Sequence, residues 1–163
     1  MTQALTHNEL NTLFTAVGAV VIQWGQAEQT LDMIVAIIFR SYGGDRVRKK
    51  IPQPLSEKIK FIRNCLEIEA ISPHKEELNN LANNFERLSN TRHDIIHGAV
   101  ATFNAGEGSF QFSKLDLVEG IHYSRDVSFD MEKFPDLLDE LIHLGASTIK
   151  LAKELLSELT SKG

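Results

Sequence analysis

One stretch carries most of the side chains able to do chemistry: Asn90-Thr91-Arg92-His93-Asp94-Ile95-Ile96-His97-Gly98. It places one arginine and two histidines within six residues. Histidine titrates near neutrality and can take or give a proton. Arginine keeps its charge and can neutralise an anion that develops on phosphorus. Together they suit phosphodiester cleavage that needs no metal, with a histidine accepting the proton of a 2'-hydroxyl. Two other readings compete. His93-Asp94-Ile95-Ile96-His97 echoes the His-Glu-x-x-His spacing of zinc sites, but the acid is the shorter Asp and no third ligand is evident. Alternatively, the histidines are surface residues and Arg92 only pairs with a buried acid.

Helical geometry constrains the first reading. Arg92 and His97 differ by five positions, so they point about 140° apart around a straight helix. His93 and His97, four apart, share a face, with Asn90 and Glu86 further back. Arg92 and His97 can therefore meet only if a bend at Gly98 or a second subunit brings them together.

The elements that must position this stretch are mostly helical. Thr6-His7-Asn8-Glu9 has capping-box spacing. Leu10, Leu13, Val17, Val20, Trp24, Leu31, Ile34 and Ile38 then recur at steps of three, four and seven, predicting a helix over about 8–39. Glu28 lies on that stripe, where a carboxylate needs a partner or access to water. Tyr42-Gly43-Gly44 ends the helix. Pro52 and Pro54 close a loop, and Ser56 is placed to cap a second helix over about 56–69. Cys65 there reads as a small buried hydrophobe. Ser72 and Pro73 fit N-cap and first-turn positions of a third helix, about 73–97. Its stripe runs Leu78, Leu81, Phe85, Leu88, Arg92, Ile95, so Arg92 sits on an apolar face as Glu28 does. A Glu28–Arg92 pair is the expectation.

After Gly98 the period becomes two. Val100 and Thr102, Phe110 and Phe112, and Ile121, Tyr123, Val127 and Phe129 alternate as strands do. Residues 104–108 and Glu119-Gly120 read as turns. A last helix, about 130–160, carries Phe134, Leu137, Leu138, Leu141, Leu144, Thr148, Leu151, Leu155 and Leu159 inward. Gly145 and Ala146 on it would admit a close neighbour. The expected fold is mainly α: an up-and-down bundle of four main helices in one domain, with a small antiparallel β-meander (about 99–129) inserted before the last helix.

Composition narrows the function. The chain has 163 residues and 42% hydrophobic content, enough for a real core. A net charge of -5 argues against a generally basic nucleic-acid binder. The charge is uneven, however. Arg40 to Arg63 holds eight basic and two acidic residues, leaving -11 on the rest. Arg46, Arg48, Lys49 and Lys50 could thus form a local RNA-binding patch, or simply a solvated loop. The single cysteine allows no internal disulfide, and no signal peptide or membrane span is evident, so a cytoplasmic protein is expected.

The spacing Arg92-His93-x-x-x-His97 resembles the signature of the HEPN superfamily, an Arg followed by a polar residue and then by His after a total gap of four to six residues, here four. The trailing Gly98, the helical frame, and a long first helix with Trp24 and Glu28 are also similar to it. The meander departs from the plain helical pattern. The resemblance implies a homodimer whose two motifs line one cleft. It also implies metal-independent RNA cleavage, with no cofactor, leaving a 2',3'-cyclic phosphate. Carried over by position, His97 would be the general base or acid, Arg92 the phosphate stabiliser and His93 the polar helper. Asn90, Asp94 and Glu28 would support them; Glu28 is added from its stripe position alone. Such an activity fits a toxin or antiviral effector with an antitoxin or other regulatory partner. The superfamily also contains non-catalytic dimeric modules that bind a protein or a nucleotide.

Overall fold

The computed structural model describes residues 5–161, the side chains of 99–101 aside. Four helices and three strands follow in order: α1 (His7–Ser41), α2 (Leu55–Cys65), α3 (Lys75–His97), β1 (Ala99–Asn104), β2 (Ser109–Val118), β3 (Ile121–Asp130) and α4 (Phe134–Ser161). No helix among the described residues is long and apolar enough to cross a membrane.

Local chemistry explains most boundaries. The Thr6 amide donates to Glu9 Oε2 at 2.7 Å, and the Glu9 amide donates to Thr6 Oγ1 at 3.3 Å. This reciprocal capping box starts α1 where its spacing predicts. Gly43, with φ 85°, ends it. Two boundaries differ from expectation. The residue preceding α2 is Pro54, which lends no side-chain bond, and Ser56 lies inside the first turn. The helix also stops at Cys65, four residues early. Second, Pro73 sits within a 3-10 turn, Glu69–His74, and α3 begins only at Lys75. The tighter turn accepts proline, whose missing amide hydrogen costs nothing at a helix start.

The described chain forms two compact units. One comprises the residues up to Gln23 together with Ser89–Glu140, and holds the sheet. The sheet order is β1-β2-β3, all antiparallel. Its register pairs Phe112 with Val127 and Lys114 with Arg125. Phe110 and Phe112 are buried with Leu13, and Val17, Phe103, Val127, Phe129 and Met131 pack around them. Burying each of these phenylalanines contributes about 1.5–3 kcal/mol. The β2–β3 connection is a two-residue turn with positive φ at both Glu119 (51°) and Gly120 (81°), the geometry that matches strand twist. Towards that turn Leu115, Leu117, Val118, Ile121 and Tyr123 are exposed.

The second unit comprises Trp24–Leu88 and the residues from Leu141 onward. Its stripe residues Leu31, Ile34, Ile38, Leu78, Leu81, Phe85, Leu144, Leu151 and Leu155 are buried as the sequence period requires. Trp24 meets Phe85 edge-on, ring centroids 5.5 Å apart. Cys65 is fully buried and its thiol is pushed up to about 11 by that burial. Tyr42 donates to the Leu155 carbonyl at 2.8 Å, and burial and the Glu158 carboxylate push its hydroxyl up to about 12. On α4, Ile142, Ile149 and Leu156 stand exposed at steps of seven, and no other part of the described chain lies within 4 Å of where a side chain on Gly145 would begin.

Candidate functional site

The motif residues occupy the last two turns of α3, in the unit that holds the sheet. The helix runs unbroken through His97, and the Gly98 amide still donates to the Asp94 carbonyl at 3.1 Å. No bend therefore brings Arg92 round to His97. Arg92 is half-buried, whereas His93 and His97 are exposed. Gly98 follows the helix directly with a φ that is not positive, so no left-handed backbone calls for glycine there. It is required by space instead. A Cβ at position 98 would lie 2.8 Å from both Phe112 Cβ and the Asp94 carbonyl oxygen.

His93 and His97 form a pair, ring centroids 4.6 Å apart and tilted by 51°. Burial lowers the His93 pKa, as do the charges of Lys114, His97 and Arg92, against the opposing pull of Asp94. His93 is thereby favoured as the neutral imidazole.

Asp94 points to the sheet and anchors a network of four charges. Lys114 Nζ lies 2.9 Å from Asp94 Oδ1, and Arg125 Nη2 lies 2.8 Å from the same oxygen. Arg125 Nε also reaches Asp116 Oδ2 at 2.9 Å, and Lys114 lies 3.4 Å from Asp116. Burial pushes the Asp94 carboxyl up. The bonds and charges of Arg125 and Lys114 more than offset that, leaving it below its ordinary value. Arg125 and Lys114 likewise hold Asp116 low.

Lys114, Asp116 and Arg125 were not singled out by the sequence, yet one signal marks Lys114. Strand alternation places it on the same face as Phe110 and Phe112, an inward cation of the kind that drew notice to Arg92. Arg125 follows only from the register, which the length of the Glu119-Gly120 turn sets.

The remaining sequence candidates lie elsewhere. Asn90 is exposed on α3. Glu28 belongs to the other unit. It accepts the Trp24 indole N–H at 2.9 Å and lies 3.8 Å from Lys58 Nζ, with its side chain one-third exposed. Within its own unit Glu28 thus has an indole and a lysine as partners. Lys58, 5% exposed, comes from α2 to both Glu28 and Asp32. Arg46, Arg48, Lys49 and Lys50 also fall in this second unit, on the connection between α1 and α2. Arg48 is bonded to Glu57 at 2.5 Å, so one of the four charges is already matched. Arg46 lines an open hollow of about 730 Å³ with Tyr42, Gly43 and Glu69.

Among the described residues, one group has metal-ligand spacing: His74, Glu77 and Glu154, whose ligand atoms lie within 4.8 Å of one another. Lys150 Nζ sits 3.6 Å from Glu77 and 3.6 Å from Glu154, and His74 Nε2 is bonded to Glu158 at 2.8 Å. Each of the three side chains thus already has a charged partner. It lies in the unit that lacks the His93–His97 pair.

Comparison with family models, with curated proteins and with solved structures finds no match for this chain.

Proposed function

We propose that this chain is a metal-independent endoribonuclease of HEPN type. In this reading its four helices form an up-and-down bundle that pairs as a homodimer. What supports it is a pair of imidazoles at the exposed end of a helix, one favoured in its neutral form, beside cations drawn from the helix and two strands. A neutral imidazole is a proton acceptor at physiological pH, and surrounding cations suit an anionic substrate.

The reaction balances with groups from the chain alone. His97 takes the proton of the RNA 2'-hydroxyl as its oxygen bonds to phosphorus. The bond from phosphorus to the 5'-oxygen breaks, and that oxygen takes a proton from the His97 imidazolium, which returns to its neutral form. The products are a 2',3'-cyclic phosphate and a 5'-hydroxyl. Arg92 stabilises the charge on the phosphoryl oxygens. His93 stays uncharged beside His97 and so does not oppose its taking a proton. Because Arg92 and His97 diverge on one helix, the working pair is composite, Arg92 of one protomer with His97 of the other. Arg46, Lys49 and Lys50 supply further contacts to the RNA backbone. An activity of this kind fits a cytoplasmic toxin or antiviral effector restrained by an antitoxin or other regulatory protein.

The test is RNA cleavage by the purified protein in EDTA. Cutting is expected to persist without metal and to fall by at least about 10²-fold in His97→Ala, as loss of a general acid–base group requires. Unchanged cutting by that variant would remove the reading.

One observation favours the non-catalytic alternative, a dimeric helical module that binds a partner. The exposed Ile142, Ile149 and Leu156 give α4 an apolar stripe at the spacing helices use to pair. That alternative expects no cutting, with Arg92→Ala lowering stability only.

A further inference from the structure

Lys114 is nearly buried, and its ammonium spans two carboxylates from different elements, Asp94 on α3 and Asp116 on its own strand. Its cross-strand neighbour is Arg125. Two cations directly opposite each other on adjacent strands repel. Here Asp94, reaching over from α3, accepts from both and removes the conflict. The network is therefore a fitted joint between the sheet and the turn of α3 that carries His93 and His97.

From this joint we propose that Lys114 is a positioning residue of the α3 site. Through Asp94, the residue next to His93, it fixes the last turn of the helix on the sheet. The inference rests on the nuclease reading only for its catalytic consequence. The joint of Lys114 with Asp94, the residue next to His93, stands on geometry.

A purely structural joint would need no charge. A buried ion pair is weak evidence of stability, because desolvation offsets most of the attraction. What the charge adds is electrostatic. Four groups act on the His93 imidazole: Lys114 from β2, and Arg92, Asp94 and His97 from α3. Asp94 favours the charged ring, while the other three oppose it. Lys114 is the strongest of the opposing charges and the one the sheet contributes. Without it, Asp94 acts on His93 with less opposition, and the ring protonates at higher pH. A charged His93 beside His97 then opposes transfer of the 2'-hydroxyl proton to His97.

The experiment compares wild type with Lys114→Met, Lys114→Gln and Lys114→Arg. It follows the His93 ring resonances by NMR against pH and, in parallel, the pH–rate profile for RNA cleavage in EDTA. Lys114→Met and Lys114→Gln are expected to raise the His93 midpoint and to move the acid limb of the profile to higher pH with it. Lys114→Arg is expected to leave both near the wild-type positions. The glutamine variant keeps a bond to Asp94 and serves if the methionine variant does not fold. A folded charge-removing variant whose His93 titrates as in wild type overturns the inference. If the midpoint moves but the wild type cuts no RNA, the nuclease reading falls while the coupling of Lys114 to His93 stands. If the midpoint moves and the acid limb does not, the catalytic consequence is overturned alone.

Discussion

Asp94 shows how one carboxylate can decide the behaviour of its neighbours. It is about four-fifths buried and accepts from Lys114 and Arg125 together. Its folded pKa lies below the ordinary carboxylate value, so the sign of its pH dependence is fixed. The stabilisation is complete above the unfolded pKa, near 4, and is lost as pH falls through the lower folded value. Asp94→Asn is expected to cost about 2 kcal/mol at pH 7, because a buried lysine and an arginine lose a charged acceptor. The difference between variant and wild type should shrink as pH falls from about 4 through the lowered folded value of Asp94, below which both side chains are neutral. Urea titrations at pH 7 and in steps downward from about pH 4 check both statements. The residues that carry this argument were half legible. Arg92, His93 and His97 stand out by type and spacing, and Asp94 lies among them. Its partners are 20 and 31 residues away and become visible only when the strands are laid in register.

At the scale of elements, short-range chemistry was readable and changes of helix type were not. The Thr6–Glu9 capping box, the Gly43 stop and both meander turns follow from local residue preferences. The early end of α2 and the 3-10 turn around Pro73 do not, because the apolar period continues past Cys65 and Ser72-Pro73 mimics a helix start. At Gly98 a close approach to Phe112, not a left-handed backbone, demands glycine, and that approach is invisible before the sheet is built. The β2–β3 turn offers a direct test. Glu119 holds a left-handed φ of 51°, a conformation that costs most residues about 1–2 kcal/mol and asparagine less. Glu119→Asn creates Asn-Gly, the preferred pair for this turn, and is expected to stabilise the protein by about 0.5–1 kcal/mol. A melting curve that falls instead of rising would show that the Glu119 side chain has a role of its own.

For the whole molecule, the divergence of Arg92 and His97 on one straight helix leads to a prediction about assembly. If the working site is composite, Arg92→Ala and His97→Ala are each inactive alone. Mixing them and allowing exchange should restore cutting, because one cleft of the mixed pair keeps an intact arginine and an intact histidine. Sedimentation of each variant and activity of the mixture measure this together. Restoration that fails while mixed dimers demonstrably form would place both groups within a single chain. The charge asymmetry belongs to the same scale. A segment of +6 on a chain of -5 makes any RNA affinity local and strongly salt-dependent.

Cys65 gives the molecule a gauge of its own opening. The sulfur is walled off from solvent and, with its thiol near 11, almost none of it is thiolate at pH 7. Alkylating reagents can therefore mark the chain only in the moments when α2 lifts from its neighbours. The rate of that single covalent event, read by mass, reports how often the unit containing Cys65 breathes, with no substitution made beforehand.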